Sequence, residues 1–153
     1  MLFRSVPAVR PAGAQPFGIR ESVQTATVID VSLPSNLSYT KDHEWVLLTG
    51  SVARIGITDY AQDALGDIVF VQLPDPGSVV SANDSFSEIE STKSVNDVYA
   101  PVSGTVSRVN ELLSSSPELL NTDPYGDGWI CEIEMSGEAS DLLTPDEYQA
   151  LIG

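Results

Sequence analysis

From Asn36 onward, short apolar runs alternate with polar breaks. His43-Glu-Trp-Val-Leu-Leu and Val52-Ala-Arg-Ile-Gly-Ile flank Gly50 and predict two strands joined by a turn. Between Asp59 and Gly66 the period changes. Ala61, Ala64 and Leu65 share one stripe, Thr58 or Asp59 can cap its start and Gly66 can end it, so a short helix is expected. Ile68-Val-Phe-Val-Gln-Leu is a run of β formers stopped by Pro74-Asp-Pro-Gly. Ser85 to Glu90, Val95 to Tyr99 and the alternating Gly104-Thr-Val-Ser-Arg-Val predict three more strands. Asn110 to Leu113 predicts one or two helical turns, and Trp129 to Met135 a last strand. Thr144-Pro-Asp-Glu has the signs of a helix start: a threonine cap, proline in the first turn and acids behind it. The closing helix should run through Leu151. Many short strands with Gly and Pro turns predict a mainly β chain with short helices, a sandwich or flattened barrel. The strands alone do not fix its topology.

Residues 1 to 35 do not share this pattern. Arg4, Arg10 and Arg20 stand among prolines and glycines, with no acid before Glu21. An Arg-bearing, acid-free start weakly resembles an organellar transit peptide. A disordered leader fits it too, as does a start placed upstream of the true one near Val31. The reading is a leader over 1–35 and a folded domain over 36–153.

Composition narrows the function. The chain has 153 residues, 42% hydrophobic and 19% charged, enough for one domain with a real core. Its formal net charge is −15, so clustered cations for phosphate are missing; nucleic acid and an anionic membrane surface are poor partners. No apolar run approaches the ~20 residues of a membrane helix. The acidity favours solubility and basic protein partners. Cys131 is the single cysteine and lies in the apolar run Trp129-Ile-Cys-Glu-Ile, so it reads as a small core residue in a reducing compartment. His43 is the only histidine, and His-Glu-Trp is not a zinc motif, so no metal is assigned.

The chain has two lysines, Lys41 and Lys93. Lys93 falls where two predicted strands must reverse, in Ser91-Thr-Lys-Ser, which offers none of the Gly or Asn that a two-residue hairpin prefers. Turn energetics do not ask for lysine. A tip position does project an ammonium group clear of the sheet, with Glu88, Glu90 and Asp97 close in sequence. A solvated lysine blunting a hairpin would look the same.

The surrounding residues separate these readings. Glu90-Ser-Thr-Lys-Ser-Val, then Tyr99-Ala-Pro-Val-Ser-Gly with Gly104 eleven residues beyond Lys93, resembles a lipoyl-attachment hairpin. Tyr39-Thr-Lys-Asp-His-Glu-Trp-Val, the segment Gly56 to Pro74, and Asp123-Pro-Tyr-Gly-Asp-Gly-Trp agree with it in order. Together they resemble the glycine cleavage system H proteins over Ser38 to Gly153. The resemblance implies a lipoyl/biotinyl-type hybrid barrel-sandwich of antiparallel strands, with the carrier lysine at a hairpin tip and a C-terminal helix. It implies lipoic acid in amide linkage on Lys93, with Glu90, Ser91, Thr92, Ser94, Val95 and Gly104 as its context. Biotin carriers flank their lysine with methionines; here Met1 and Met135 are far away, which favours lipoyl.

The function so implied is a shuttle without catalysis of its own. It takes the aminomethyl group from the P protein to the T protein and is reoxidised by the L protein, after lipoyl-attaching enzymes have loaded it. A lipoyl relay serving other 2-oxo acid dehydrogenase complexes is the alternative, and a plain binding module without a prosthetic group remains a further one. The motifs look bacterial, which implies the cytoplasm, or the mitochondrial matrix if residues 1–35 are a transit peptide. Trp45, Trp129, Phe70 and Tyr60 are expected in the core or as a shield for a groove that docks the arm.

Overall fold

The structure, a computed structural model, describes residues 33–139 and 141–153. All but the last three residues of the leader reading therefore lie outside the described part. The strands are β1 (Ser38–Tyr39), β2 (Glu44–Thr49), β3 (Val52–Ile57), β4 (Ile68–Gln72), β5 (Val79–Val80), β6 (Ser85–Ser91), β7 (Val95–Tyr99), β8 (Gly104–Val109) and β9 (Cys131–Met135). The helices are α1 (Asp59–Leu65), α2 (Leu112–Ser115), α3 (Leu119–Thr122) and α4 (Pro145–Ile152). All pairing is antiparallel. One sheet has the order β1-β2-β3-β9-β8-β5, the other the order β4-β6-β7. The expected fold class is the one observed.

The inward faces of both sheets bury one apolar set, including Val46, Ile55, Val71, Ile89, Val106, Ile130 and Ile133, closed by Leu113 of α2 and Leu120 of α3. Burial of this surface is the dominant stabilising term. The helix ends are fixed as the sequence predicts. The Thr58 hydroxyl accepts from Ala61 N at 3.1 Å, and Gly66 ends α1 with φ 82°, a conformation that favours glycine. Thr144 and Glu147 form a reciprocal capping box at α4. Cys131 is buried, and burial pushes its thiol up to about 12, so it is an inert core residue.

Three differences have local causes. The helical turns expected from Asn110 begin at Leu112, because Asn110 is a buried clamp whose Nδ2 donates to Asp127 O at 2.6 Å and Trp129 O at 2.7 Å. Trp45 is core, its Nε1 bonded to Pro124 O at 2.9 Å, but Trp129 is not. It carries Arg54 at 4.3 Å and Arg108 at 5.3 Å over its ring, and both arginines pair with Glu132. Phe70 and Tyr60 are about half exposed, 53% and 46%.

Candidate functional site

The tip between β6 and β7 is built by Ser91. Its backbone N–H donates to Ser94 O at 2.8 Å, as in a hairpin. The return bonds use the Ser91 side chain: its Oγ accepts from Ser94 N at 3.1 Å and Lys93 N at 3.3 Å. A serine hydroxyl thus takes the place of a turn carbonyl, and the tip needs neither Gly nor Asn. Ser91 is buried, whereas Thr92, Lys93, Ser94 and Val95 are exposed. Thr92 N bonds Asp67 O at 3.0 Å, tying the tip to the α1–β4 connection, and Ser94 Oγ donates to Asn96 Oδ1 at 3.0 Å. Lys93 pairs with no carboxylate among the described residues; a Cβ added at Gly66 would sit 3.6 Å from its Cε. Glu90 is exposed on β6 opposite Val95. Gly104 is not at the tip. It lies in β8 of the other sheet, where a Cβ would collide with the Glu134 carbonyl.

A groove of about 340 Å³ adjoins the tip, between α1 and β7. Ile57, Ala61, Leu65, Ile89 and Val98 give it an apolar floor; Asp42, His43, Glu44 and Asp97 line its polar side, and Tyr60 is part of its wall. Leu65 immediately precedes Gly66, over which Lys93 lies, and Asn96 carries the opposite wall back to the tip. Sequence reading allowed for such a groove, but it missed Glu44. That carboxylate is buried, with Oε1 accepting from Thr40 Oγ1 at 2.6 Å and Oε2 from Tyr99 N at 3.3 Å. Desolvation raises it to about 7, against the pull of those two donors and with help from the Asp42 charge. Burial lowers the pKa of His43, and its Nδ1 lies 2.8 Å from Tyr148 Oη, which lies 2.8 Å from Thr58 Oγ1.

Lys41 has a different setting. It is exposed in the β1–β2 connection, on a separate cavity of about 330 Å³. Among the described residues no cluster of His, Cys, Asp or Glu is placed to hold a metal, and no helix is long and apolar enough to cross a membrane.

Comparison with known proteins matches this architecture. The family model "Glycine cleavage H-protein" matches residues 37–153. A probable glycine cleavage system H protein of Haloarcula marismortui is 53% identical over 119 residues, 76% of this chain and 94% of that protein. The glycine cleavage system H protein of Carboxydothermus hydrogenoformans is 50% identical over 122 residues, 78% of this chain and 94% of that one. The crystal structure of a glycine cleavage system H protein from Mycobacterium marinum superposes with a TM-score of 0.74 at 44% identity, covering 78% of this chain and 98% of that one. The chain belongs to the glycine cleavage H-protein family.

Proposed function

We propose that Lys93 bears lipoic acid in amide linkage and that the protein shuttles the aminomethyl group of glycine from the P protein to the T protein, the L protein reoxidising it. Family membership implies a lipoyl carrier of the glycine cleavage system. The observation that carries the finer reading is an exposed lysine, with no carboxylate partner among the described residues, on a tip pinned by a buried serine beside an apolar groove. These residues suit the group. The amine is free to be acylated, the tip is held while the arm beyond it swings, and the groove offers apolar surface to the arm's hydrocarbon. Once attached, lipoyl supplies a disulfide that accepts electrons and thiols that carry the one-carbon unit. The chain's own work is positional. The Ser91 bonds and the Thr92–Asp67 bond fix the root of the arm, and tethering gives each enzyme a high local concentration of its substrate. Asp42 presents a carboxylate to an amine brought into the groove, and Glu44 adds its charge as pH rises through 7. The bacterial relatives support the cytoplasm over the mitochondrial matrix.

Peptide mapping of the native protein tests attachment: lipoyl is expected on Lys93, and biotin there or lipoyl on Lys41 would sink the reading. Loaded protein should support glycine-dependent exchange of bicarbonate carbon with the P protein, and Lys93→Arg should abolish exchange while leaving the melting temperature unchanged. A protein that carries lipoyl and is reduced by the L protein, yet gives no exchange, would be a lipoyl relay.

A further inference from the structure

The outer face of the β4–β6–β7 sheet carries apolar side chains that no fold requirement explains. Phe70, Glu90 and Val95 stand opposite one another across the three strands, on the row next to the tip. Phe70 is 53% exposed and Val95 is 59% exposed. A break of register between Ile68 and Phe70 makes Val69 an extra residue in β4, and Val69 is 51% exposed as well. A regular pleat would send one of two successive residues inward; the bulge leaves both in water, which is the use bulges have beside functional sites. The next row is Gln72, Glu88 and Asp97. Glu88 lies directly opposite Asp97, a like-charge pair that costs stability. Asp97 accepts one bond, from Ser85 Oγ at 3.0 Å, and neither Glu88 nor Glu90 has a cation partner among the described residues. The face thus combines half-exposed hydrophobes with carboxylates whose repulsion nothing described relieves.

We propose that this face, Val69, Phe70 and Val95 with Glu88, Glu90 and Asp97, is where the enzyme that acylates Lys93 docks. That enzyme offers an apolar recess rimmed by lysine or arginine side chains. The proposal rests on the reading of Lys93 as the lipoyl lysine. Reach selects the partner. The attaching enzyme must bring its active site to the lysine nitrogen itself, within one side chain's length of the tip, so it must cover what surrounds the tip. The enzymes of the cycle act at the far end of the arm and have no such need. Choice matters too: Lys41 carries the same amine, so the enzyme has to recognise the setting of Lys93, and this face is part of that setting. In the reaction the lipoate carboxylate attacks the α-phosphorus of ATP, the α–β anhydride bond breaks and pyrophosphate leaves, giving an acyl-adenylate. The neutral Lys93 Nζ then bonds to the acyl carbon, AMP leaves with the broken C–O bond's electron pair, and the nitrogen gives up a proton to solvent.

The test is the steady-state rate of an ATP-dependent lipoate ligase on unmodified full-length protein, with loading read by intact mass and peptide mapping. For Phe70→Ser/Val95→Ser, the KM for the protein should rise about tenfold or more with kcat nearly unchanged, and Phe70→Leu should keep the wild-type KM. Wild-type kcat/KM should fall with added salt, and Glu88→Gln/Asp97→Asn should flatten that dependence. The Phe70 and Val95 variants should melt close to the wild type, since those side chains are half exposed, and Glu88→Gln/Asp97→Asn should melt no lower than it, since a like-charge pair is removed. A merely displaced tip would lower kcat instead and overturn the proposal, as would an unchanged KM in the double variant. Normal loading with loss of exchange at the P protein would give the face to the cycle and overturn it too. If wild-type protein gains no adduct on Lys93, the functional reading itself falls and takes the docking face with it, an outcome distinct from all of these.

Discussion

Ser91 does for this tip what glycine does in an ordinary tight hairpin, by a different route. Its hydroxyl accepts from two backbone amides that positive-φ residues would otherwise have directed to a carbonyl. Ser91→Ala should therefore cost about 1 kcal/mol in urea unfolding, the usual value of such bonds at a partly hydrated site, and should slow lipoyl attachment by loosening the root of the arm. An unchanged attachment rate would show that the tip is held by its strands alone. Glu44 makes a sharper case. Its folded-state pKa of about 7 lies above the ordinary 4.5, so the folded protein binds this proton more tightly than the unfolded chain does. The stability it contributes is complete below pH 4.5 and is lost as pH rises through 7; the gap is worth about 3 kcal/mol. His43 works the other way: its lowered pKa gives stability that is present above its ordinary value and is lost as pH falls. The clean measurement is thus the stability of wild type relative to Glu44→Gln, in which the contribution of His43 cancels. That difference should move against the wild type by about 3 kcal/mol between pH 4.5 and 8, and a flat difference would mean that Glu44 titrates as a hydrated group. At this scale the hairpin-tip position of Lys93 was legible from the strand pattern on either side of it, while its reading as the attachment lysine came from the motifs around it, since spacing alone fits a plain solvated lysine equally well. Ser91 and Glu44 were not, since a serine near a turn and a glutamate at a strand start are ordinary until burial is known.

Strands and helices of five or more residues followed the pattern because alternation and caps need that length to show. The two-residue strands β1 and β5 and the four-residue α3 have no period to detect and owe their existence to what they pack on. The bulge in β4 is the instructive miss. Ile68-Val-Phe-Val reads as a regular strand of β formers with Phe70 in the core or shielding a groove, and only the slipped register shows that Val69 and Phe70 both stay in water. Gly104 marks the opposite case, a residue whose necessity comes from another element. At that point β8 passes so close to β9 that a Cβ would strike the Glu134 carbonyl and lie 2.8 Å from Ile133 Cγ2. Backbone paired on both sides cannot move away cheaply. Gly104→Ala should lose about 3 kcal/mol, seen as a lower urea midpoint, while lipoyl attachment measured well below the melting temperature stays near normal because Gly104 is remote from the tip. Loss of attachment in a folded Gly104→Ala protein would tie the two sheets together more closely than their pairing suggests.

Across the whole molecule, every described strand finds its partners between Ser38 and Met135, and the closing helix returns to the start of the fold. Tyr148 of α4 stacks on Tyr39 of β1 at 4.9 Å, and Leu143 and Tyr39 exchange backbone bonds of 2.9 and 2.7 Å. Among the described residues the buried apolar set begins at Leu37. Fold class was legible because four motifs in order span this same range; the fate of residues 1–30 was not, since Pro, Gly and Arg without apolar periodicity specify no packing. We propose that those residues add little to the domain. A chain starting at Val31 should then melt and unfold in urea as the full chain does, and should take lipoyl on Lys93 at the same rate. The physical ground is that a segment without an apolar face cannot bury enough surface to offset the entropy of ordering it. Two failures would carry different meanings. A lower melting temperature would show that the first thirty residues bury apolar surface against the domain. An unchanged melting temperature with slower attachment would mean that Arg4, Arg10 or Arg20 takes part in recognition, supplying positive charge to a protein otherwise poor in it.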